Sequence, residues 1–265
     1  MSENDMSLRC VRNYNDVAAF RPFDRYDRVT PDVSWLPLNF DAALNQGTYF
    51  LRVPPNGQPF PHDHKGHEEF LVLQGELVDE SGTRYREGDF VVFEPNARHE
   101  STSPAGAVLV VFIRGSTRGL VTPELLSLAR PLIRNVHDAK HYVPFSVYGI
   151  RSPNVTWLPL TMDCNTGLGS YFATYNQTAR SFPHEHPSIE QFLIVEGTFV
   201  DYDGTVFNKG DFVTYAPGSR HFSYSPDYAI LAVFMSAENR RLSEEESRPL
   251  EERFRESTGA GLKTV

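Results

Sequence analysis

The stretch PFPHDHKGHEEFLVLQGELVDE, residues 59–80, combines two histidines one residue apart with two adjacent glutamates and an apolar, strand-like segment. On a strand, side chains two positions apart point to the same face, about 6.6 Å from each other, so His62 and His64 can aim their rings at one point. Glu68 or Glu69 can add a carboxylate from the next segment. Because imidazole and carboxylate together suit Zn, Fe, Mn or Ni, the stretch predicts a transition-metal site.

This pattern occurs twice in the chain. The segment from Pro22 to Phe112 repeats from Pro144 to Phe234. The two copies align without a gap at a constant offset of 122 positions, the separation between Pro22 and Pro144. The stretch above returns as SFPHEHPSIEQFLIVEGTFVDYDG, and EGDFVVFEPNARHESTSP returns as KGDFVTYAPGSRHFSYSP. The sequence therefore predicts two similar domains that arose by internal duplication.

Comparison of the two copies selects the candidate ligands. Glu68 corresponds to Glu190, whereas Glu69 corresponds to Gln191, so the first glutamate of each pair is the candidate. A further histidine follows a Pro-x-x-Arg turn after a GDFV strand in each copy. The predicted metal ligands are His62, His64, Glu68 and His99 in the first repeat, and His184, His186, Glu190 and His221 in the second.

Two kinds of metal chemistry are compatible with three imidazoles and one carboxylate. An octahedral ion held by four protein ligands keeps two positions open, enough for a chelating substrate or for a substrate and dioxygen. A tetrahedral zinc ion would be saturated by the same ligands and would have a structural role. We expect a divalent metal in each domain, iron or zinc first, with manganese or nickel as alternatives.

The elements around these residues are predicted to be β-strands. Short runs of Val, Ile, Phe, Tyr and Thr between Gly, Pro, Asn and Asp are typical of antiparallel sandwiches or barrels, so the predicted fold class is all-β. We expect an N-terminal domain over 1–120, a linker over 121–143 with a short helix at TPELLSLAR, and a C-terminal domain over 144–236. The charged tail over 237–265 is expected to be a solvated helix capped by Ser243.

Other side chains receive structural interpretations. Repeated aromatic residues are expected in packing, namely Trp35, Trp157, Tyr49 and Tyr171. Apolar residues that share the strand parity of the glutamates can line a pocket, namely Phe70, Val72, Phe192 and Ile194. Strand alternation turns two arginines away from the metal toward surface ion pairs, namely Arg98 and Arg220. Three histidines outside the repeated pattern are expected at the surface, namely His67, His137 and His141.

Composition limits the possible partners and compartments. The formal net charge of −9 disfavours nucleic acid and anionic membranes as partners, because both need clustered Lys and Arg. No apolar run approaches the roughly 20 residues of a membrane span, and MSENDMSLRC has no signal-peptide core, so we expect a cytoplasmic protein. Cys10 and Cys164 share no metal-type spacing, which indicates neither a disulfide framework nor a Cys-based zinc site.

The motifs resemble those of the cupin superfamily, G-x5-HxH-x3,4-E-x6-G and G-x5-PxG-x2-H-x3-N. Six residues separate Glu68 from Gly75 and Glu190 from Gly197, as in the first motif. Matches to the second motif are Gly88, Pro95 and His99, and Gly210, Pro217 and His221. Each copy departs from it by one extra residue between Gly and Pro and by lacking the final Asn. The resemblance implies two tandem, jelly-roll-like β-barrels.

More narrowly, HDHKGHEEFLVLQGELVDESG with NARHESTSP is similar to the ChrR-like cupins. That group includes the C-terminal domain of a zinc-binding anti-sigma factor and resembles dioxygenases that cleave acetylacetone and hydroxyacetophenone. The resemblance implies a metal-binding bicupin, most simply a non-haem Fe(II) dioxygenase that cleaves a diketone or an aryl ketone. The alternative is a zinc-binding sensor without catalysis. In either case the expected partner is a small molecule, with a homodimer as a further possibility.

Overall fold

The computed structural model describes residues 8–25, 30, 32–59, 61–115, 117–119, 131–147, 150–163 and 165–258. These residues divide into two compact units, one of Tyr14–Ala139 and one of Met1–Asn13 with Lys140–Val265. Within the described ranges, no helix is long and apolar enough to cross a bilayer.

Strands dominate both units. In chain order they are β1 (Arg9–Asn13), β2 (Arg21–Pro22), β3 (Ser34–Asp41), β4 (Gln46–Val53), β5 (His62–His64), β6 (Glu68–Asp79), β7 (Arg84–Arg86), β8 (Asp89–Phe93), β9 (Arg98–His99), β10 (Ser101–Thr102), β11 (Ala107–Ile113), β12 (Thr117–Gly119), β13 (Leu132–Asn135), β14 (Val143–Val147), β15 (Ile150–Pro159), β16 (Leu168–Tyr175), β17 (His184–Glu185), β18 (Glu190–Asp201), β19 (Val206–Asn208), β20 (Asp211–Tyr215), β21 (Arg220–His221), β22 (Ser223–Tyr224), β23 (Ala229–Ser236) and β24 (Arg240–Arg241). One α-helix, α1 (Glu244–Thr258), and two single-turn 3-10 helices, Val17–Ala19 and Ala139–His141, complete the described chain.

The sheets of the two units have matching strand orders. The large sheet of the first has the order β13-β8-β6-β11-β4-β3-β2, and that of the second has the order β1-β20-β18-β23-β16-β15-β14. A small sheet accompanies each one, β12-β5-β9 in the first unit and β21-β17-β24 in the second. Every strand pair that the structure describes is antiparallel, which confirms the all-β prediction.

The strand at one edge of each large sheet comes from a part of the chain that the sequence analysis had not assigned to that domain. β1 precedes the first repeat but pairs with β20 in the second unit, with Asn13 opposite Asp211. β13 lies in the predicted linker but pairs with β8 in the first unit, with Asn135 opposite Asp89. The same side-chain hydrogen bond fastens both edges, from Asn13 Nδ2 to Asp211 Oδ1 and from Asn135 Nδ2 to Asp89 Oδ1, each 2.8 Å long.

The duplication therefore begins earlier than Pro22, and the predicted borders 1–120 and 121–143 do not coincide with the compact units. An unpaired sheet edge exposes a row of backbone N–H and C=O groups, which an additional strand satisfies. Backbone hydrogen bonds are common to every sequence, so the residue pattern alone did not show which sheet β1 and β13 complete. The predicted linker helix at TPELLSLAR lies outside the described residues.

Aromatic side chains form the centre of each core. Trp35 is fully buried and makes edge-to-face contacts with Phe23, Phe40 and Tyr49, with ring centroids 5.6, 5.2 and 5.6 Å away. In the second unit, Trp157 contacts Phe145 and Tyr171, both 5.7 Å away, in the same manner. The predicted packing role of the two tryptophans agrees with these contacts.

Helix α1 begins as predicted but packs differently. Ser243 and Glu246 form a capping box, since Ser243 Oγ accepts from the Glu246 N–H at 3.3 Å and Glu246 Oε2 accepts from the Ser243 N–H at 2.9 Å. The expectation of a solvated helix is wrong, because Leu250 and Phe254 are buried in an apolar cluster with Phe222. One apolar stripe is enough to dock a helix whose average composition is polar.

Replacing Trp35 with Ala is expected to lower the free energy of unfolding of the first unit by about 3–5 kcal/mol, because it leaves a cavity among three aromatic rings. Urea unfolding of the full chain measures this loss. The control is Val17→Ala at a side chain that is 61% exposed, which should change stability by less than about 0.5 kcal/mol. Equal losses in the two variants would contradict the proposed packing role.

Candidate metal centres

The strand register brings the predicted ligands together in each unit. In the first unit, β5 pairs with β9 so that His62 lies opposite His99. Glu68 opens β6 after a turn that contains Gly66, where an added Cβ would lie 1.5 Å from the carbonyl oxygen of Arg114. Only glycine therefore allows the backbone to return to the large sheet so closely after the His-x-His strand.

At the first centre, which comprises His62, His64, Glu68 and His99, one carboxylate oxygen lies among three imidazoles. Glu68 Oε2 is 2.7 Å from His99 Nε2, 3.3 Å from His62 Nε2 and 3.3 Å from His64 Nδ1. The four candidate ligand atoms lie within 4.8 Å of one another. All four residues except the half-buried His62 are buried. The structure thus brings together the complete set predicted for the first repeat.

The second centre, which comprises His184, His186, Glu190 and His221, has the same composition but a more open arrangement. The shortest imidazole-to-carboxylate distances are 3.7 Å for each of the three histidines. His221 Nε2 lies 3.0 Å from His184 Nε2, and β17 pairs with β21 so that these two residues face each other. All four residues are buried, and their ligand atoms also lie within 4.8 Å of one another.

In the second centre, hydrogen bonds at Nδ1 orient the three histidine rings. His184 Nδ1 contacts the carbonyl oxygen of Phe182 at 2.7 Å, and His186 Nδ1 contacts Ser219 Oγ at 2.8 Å. His221 Nδ1 contacts Asp201 Oδ1 at 3.2 Å. A proton on Nδ1 leaves the Nε2 lone pair free, which is the form that binds a metal.

Burial and charge set the protonation of both centres. Burial disfavours a charged ring and lowers the pKa of His64 to about 3 and the pKa of His186 to about 2. Burial also opposes ionisation of Glu68 and Glu190, but the neighbouring imidazoles, His64 and His186 foremost, hold both carboxyl pKa values well below the usual range. Each centre therefore contains a carboxylate and at least one neutral imidazole, His64 in the first and His186 in the second, which is the form that binds a metal.

The pKa of His221 is shifted in the direction opposite to those of His64, His99 and His186. Burial opposes its charge, but the Asp201 carboxylate and its hydrogen bond outweigh burial and raise the pKa of His221 to about 9. Asp201 in turn accepts a 2.5 Å hydrogen bond from the Tyr215 hydroxyl and an ion pair from Arg9. A bound cation would therefore have to displace a proton from His221.

Unpaired nitrogen atoms test whether these residues fit a metal. Among the described residues, both ring nitrogens of His64 and Nε2 of His186 are buried without a hydrogen-bond partner. Buried polar atoms normally have partners, and an imidazole nitrogen aimed at a carboxylate and two further imidazoles has a natural one in a divalent cation. The donor set and these unpaired atoms fit the predicted metal.

A small cavity adjoins each centre. The one at the second centre has a volume of about 50 Å³ and is bordered by His184, Glu190 and His221. Its other described lining residues are Phe145, Ser152, Met162, Tyr171, Tyr175, Ser181, Phe182, Phe192, Phe199, Leu231, Val233, Met235 and Asn239. The cavity at the first centre has a volume of about 40 Å³ and reaches His62 and Glu68. Of the four predicted pocket residues, Phe192 lines a cavity, whereas Phe70, Val72 and Ile194 lie in the cores.

The predicted peripheral residues lie where expected. Arg220 pairs with Glu185 at 2.7 Å, while Arg98 lies 4.0 Å from Asp63, so neither guanidinium belongs to a centre. His67 is partly exposed and contacts Glu94 at 3.1 Å.

Several residues of the second centre escaped the sequence analysis. Ser219 and Asp201 bond the far sides of the histidine rings, and Asn239 Nδ2 donates to Glu190 Oε2. Asp201 carried a signal, since Asp79 occupies the same position in the first repeat. Ser219 and Asn239 carried no such signal, because the corresponding residues of the first repeat are Ala97 and Thr117.

The fold and the two His₃Glu groups define the class of protein as a bicupin, in which two jelly-roll barrels each surround one candidate metal centre. Residues 23–117 and 138–238 match the sequence profile of the ChrR cupin-like domain. The chain belongs to this family. None of the curated protein sequences matches it.

Solved structures share the fold at low sequence identity. A candidate dioxygenase from Nostoc punctiforme is 14% identical with a TM-score of 0.69, and the match covers 89% of this chain and 87% of that chain. A candidate glyoxylate-induced protein from Pseudomonas aeruginosa is 14% identical with a TM-score of 0.61, covering 89% and 92%. Salicylate 1,2-dioxygenase from Pseudaminobacter salicylatoxidans is 12% identical with a TM-score of 0.57, covering 76% and 75%.

The chain is expected to bind two equivalents of Zn²⁺ at saturation, one per His₃Glu group. The double variant His64→Ala/His99→Ala should bind one, because the second group is intact. Isothermal titration calorimetry measures the stoichiometry. His67→Ala is the matched control and should retain two, since this side chain pairs with Glu94 at the surface. Two equivalents in the double variant would contradict the assignment of the first centre.

Metal-free protein is expected to lose stability as the pH falls from 6 to 5. His64 and His186 stay neutral in the folded chain because their pKa values are lowered from 6.5 to about 3 and about 2, whereas the unfolded chain takes up protons. Each group contributes a loss of up to about 1.4 kcal/mol per pH unit. The raised pKa of His221 acts mainly above pH 6.5 and in the opposite direction.

Urea unfolding with chelator at both pH values measures this loss. The variant His186→Gln should reduce the pH dependence of the second unit and leave that of the first unchanged. An unchanged pH dependence in the second unit would contradict a buried neutral imidazole at this position.

Proposed function

We propose that the protein is a non-haem Fe(II) dioxygenase that cleaves a carbon–carbon bond in a small enolisable ketone, such as a β-diketone or an aryl ketone. The observation that carries this proposal is the apolar cavity of about 50 Å³ beside His184, Glu190 and His221. A purely structural metal centre needs no such space next to its ligands. The space and the ligands together favour a substrate held against the metal centre.

The chemistry of the cavity wall supports a ketone as the substrate class. Of the described lining residues, none is Lys or Arg, and most are aromatic or aliphatic. A substrate carboxylate that did not bind the metal would lie against this apolar wall without a counterion. Burying an unpaired charge in this way is costly in free energy. A diketone or aryl ketone directs its oxygen atoms to one end and presents hydrocarbon elsewhere, which matches the wall.

Fe(II) held by His184, His186, Glu190 and His221 would raise the acidity of the substrate's central carbon and relay electrons from the substrate to dioxygen. The protein's own residues prepare the proton transfer. Asn239 Nδ2 donates to Glu190 Oε2, which leaves Glu190 Oε1 to accept a proton from the substrate's acidic carbon. The pKa of Glu190 is held well below its usual range, so the group is a carboxylate at neutral pH but a weak base. The acidity of the substrate's carbon must therefore come mainly from the metal.

The overall reaction with a β-diketone balances without a further reductant. The bond between the central carbon and one carbonyl carbon breaks, and each carbon gains one oxygen atom from O₂. The products are a carboxylic acid and a 2-oxoaldehyde. The two carbons lose the four electrons that O₂ accepts. The apolar side chains around the cavity exclude water from this reaction.

A zinc-binding regulatory module is the second candidate function. The four protein ligands of each centre are enough to complete a tetrahedral zinc site, and the chain belongs to the ChrR cupin-like family. In such a module the metal would stabilise the barrel and a small molecule in the cavity would change its contacts with a partner. Metal analysis of protein purified without oxygen distinguishes iron from stoichiometric zinc.

Protein loaded anaerobically with Fe(II) is expected to consume oxygen when β-diketones or aryl ketones are added, with one O₂ used per bond cleaved. An oxygen electrode and chromatography of the acid product measure this. The variant His184→Ala/His221→Ala should lose at least about 10²-fold of the activity of the second centre. His141→Ala is the control at an exposed histidine. No uptake by iron-loaded protein across both substrate classes would overturn the dioxygenase proposal.

A further inference from the structure

The two centres share their ligands but differ in the groups behind them. At His186, Ser219 Oγ donates to the carbonyl oxygen of Ala216 at 2.6 Å, so its own hydrogen is already used. The contact of 2.8 Å between Ser219 Oγ and His186 Nδ1 must then place the proton on Nδ1. This arrangement fixes the ring and its tautomer, with the Nε2 lone pair directed at the centre.

The first centre lacks this serine. Ala97 occupies the position that corresponds to Ser219 and offers no hydroxyl group. As a result, neither ring nitrogen of His64 finds a hydrogen-bond partner in the part of the chain that the structure describes. His64 presents Nδ1 to Glu68 at 3.3 Å, whereas His186 presents Nε2 to Glu190. The ring of His64 is therefore not oriented by the protein as that of His186 is.

The last histidine of each motif shows the same difference. His221 Nδ1 contacts Asp201 Oδ1, and Asp201 is held by the hydroxyl groups of Tyr215 and Ser223 at 2.5 and 3.1 Å. A buried carboxylate held in this way fixes the ring of the histidine to which it is bonded.

In the first unit, the corresponding Asp79 is directed elsewhere. Its Oδ1 accepts from Ser81 and from the Thr83 N–H, and its Oδ2 accepts from Tyr85. Nδ1 of His99 has no hydrogen-bond partner among the described residues. Phe93, in the place of Tyr215, stacks on the His99 ring with centroids 3.9 Å apart but cannot donate a hydrogen bond.

Arg9 completes the network behind His221. It extends from β1, pairs with Asp201, and also bonds Asp203 Oδ2 at 3.0 Å and Thr205 Oγ1 at 2.7 Å. The side chain of Arg9 is 10% exposed and that of Asp201 is fully buried, so their attraction is little screened by water. The corresponding position before β13 is Pro131, which has no charge to offer.

We propose that the centre of His184, His186, Glu190 and His221 binds a divalent cation 10- to 100-fold more tightly than the centre of His62, His64, Glu68 and His99. Ser219, Asp201 and Arg9 are the positioning residues that produce this difference. Loss of such outer hydrogen bonds typically weakens metal affinity by 10- to 100-fold. This inference rests on the metal binding of the proposed function but not on its reaction.

Competition of the full chain with a chromophoric chelator for Zn²⁺ tests the proposal at pH 9, where a proton on His221 no longer competes strongly with the cation. Wild-type protein should give two binding steps separated by 10- to 100-fold. The variant His64→Ala/His99→Ala should keep the tight step, and His184→Ala/His221→Ala should keep the weak one. Equal affinities in these two variants would overturn the inference while leaving the proposed metal binding intact. Absence of zinc binding at both centres would overturn the proposed function as well.

A matched pair of substitutions tests the cause of the difference. Ser219→Ala should weaken the second centre by about 10-fold, and Ala97→Ser should tighten the first, because its backbone forms the same turn, with the Ala97 N–H donating to the Glu94 carbonyl oxygen at 3.0 Å. Both changes involve one oxygen atom and should preserve the fold. Unchanged zinc affinity in both would overturn the role of Ser219.

Arg9→Met tests the contribution of the first strand. It should weaken zinc binding at the second centre and leave the first centre unchanged, because Arg9 pairs with Asp201, which contacts the ring of His221. The thermal unfolding transition of the variant is measured first, and a lowered transition reports loss of β1 pairing. Zinc binding is then measured at a temperature below that transition. Equal weakening at both centres, or none, would overturn the positioning role of Arg9.

Discussion

Burial of four polar side chains at one point inside each barrel is the constraint on which the rest of the structure depends. A buried polar group without a partner costs about 1–3 kcal/mol, and each centre gathers three imidazoles and a carboxylate. Their mutual contacts satisfy only part of this demand, as shown by the nitrogens of His64 and His186 that lack a hydrogen-bond partner within the described part of the chain. A cation that accepts all the lone pairs at once resolves it, and the surrounding apolar core gives such binding its strength.

The antiparallel topology places these groups with little help from loops. In each small sheet, the strand with the first histidine pairs with the short strand of the last histidine, so that His62 lies opposite His99 and His184 opposite His221. The glutamate opens a strand of the large sheet. Sites built on strands are positioned more rigidly than sites built on loops. The two copies share the same candidate ligands, whereas many residues around them differ.

That divergence lies mainly in the residues behind the ligands and in the cavity walls. Ser219, Tyr215 and Arg9 support the second centre, whereas Ala97 and Phe93 occupy two of the corresponding places in the first. Single-atom changes of this kind alter how firmly an imidazole is oriented without changing the fold. A duplicated barrel can in this way carry two centres of one composition and different properties.

Much of this protein follows from its sequence. The set of candidate ligands, the choice of Glu68 over Glu69, the all-β class and the capping role of Ser243 depend on local spacing, strand parity and comparison of the two copies. These are properties of neighbouring residues, and periodicity records them directly. Only the tertiary structure decided which sheets β1 and β13 complete, that α1 buries Leu250 and Phe254, and that Arg9 reaches Asp201. Such long-range contacts use backbone groups or generic apolar and charged side chains, so many pairings are compatible with the same sequence until the folded chain selects one.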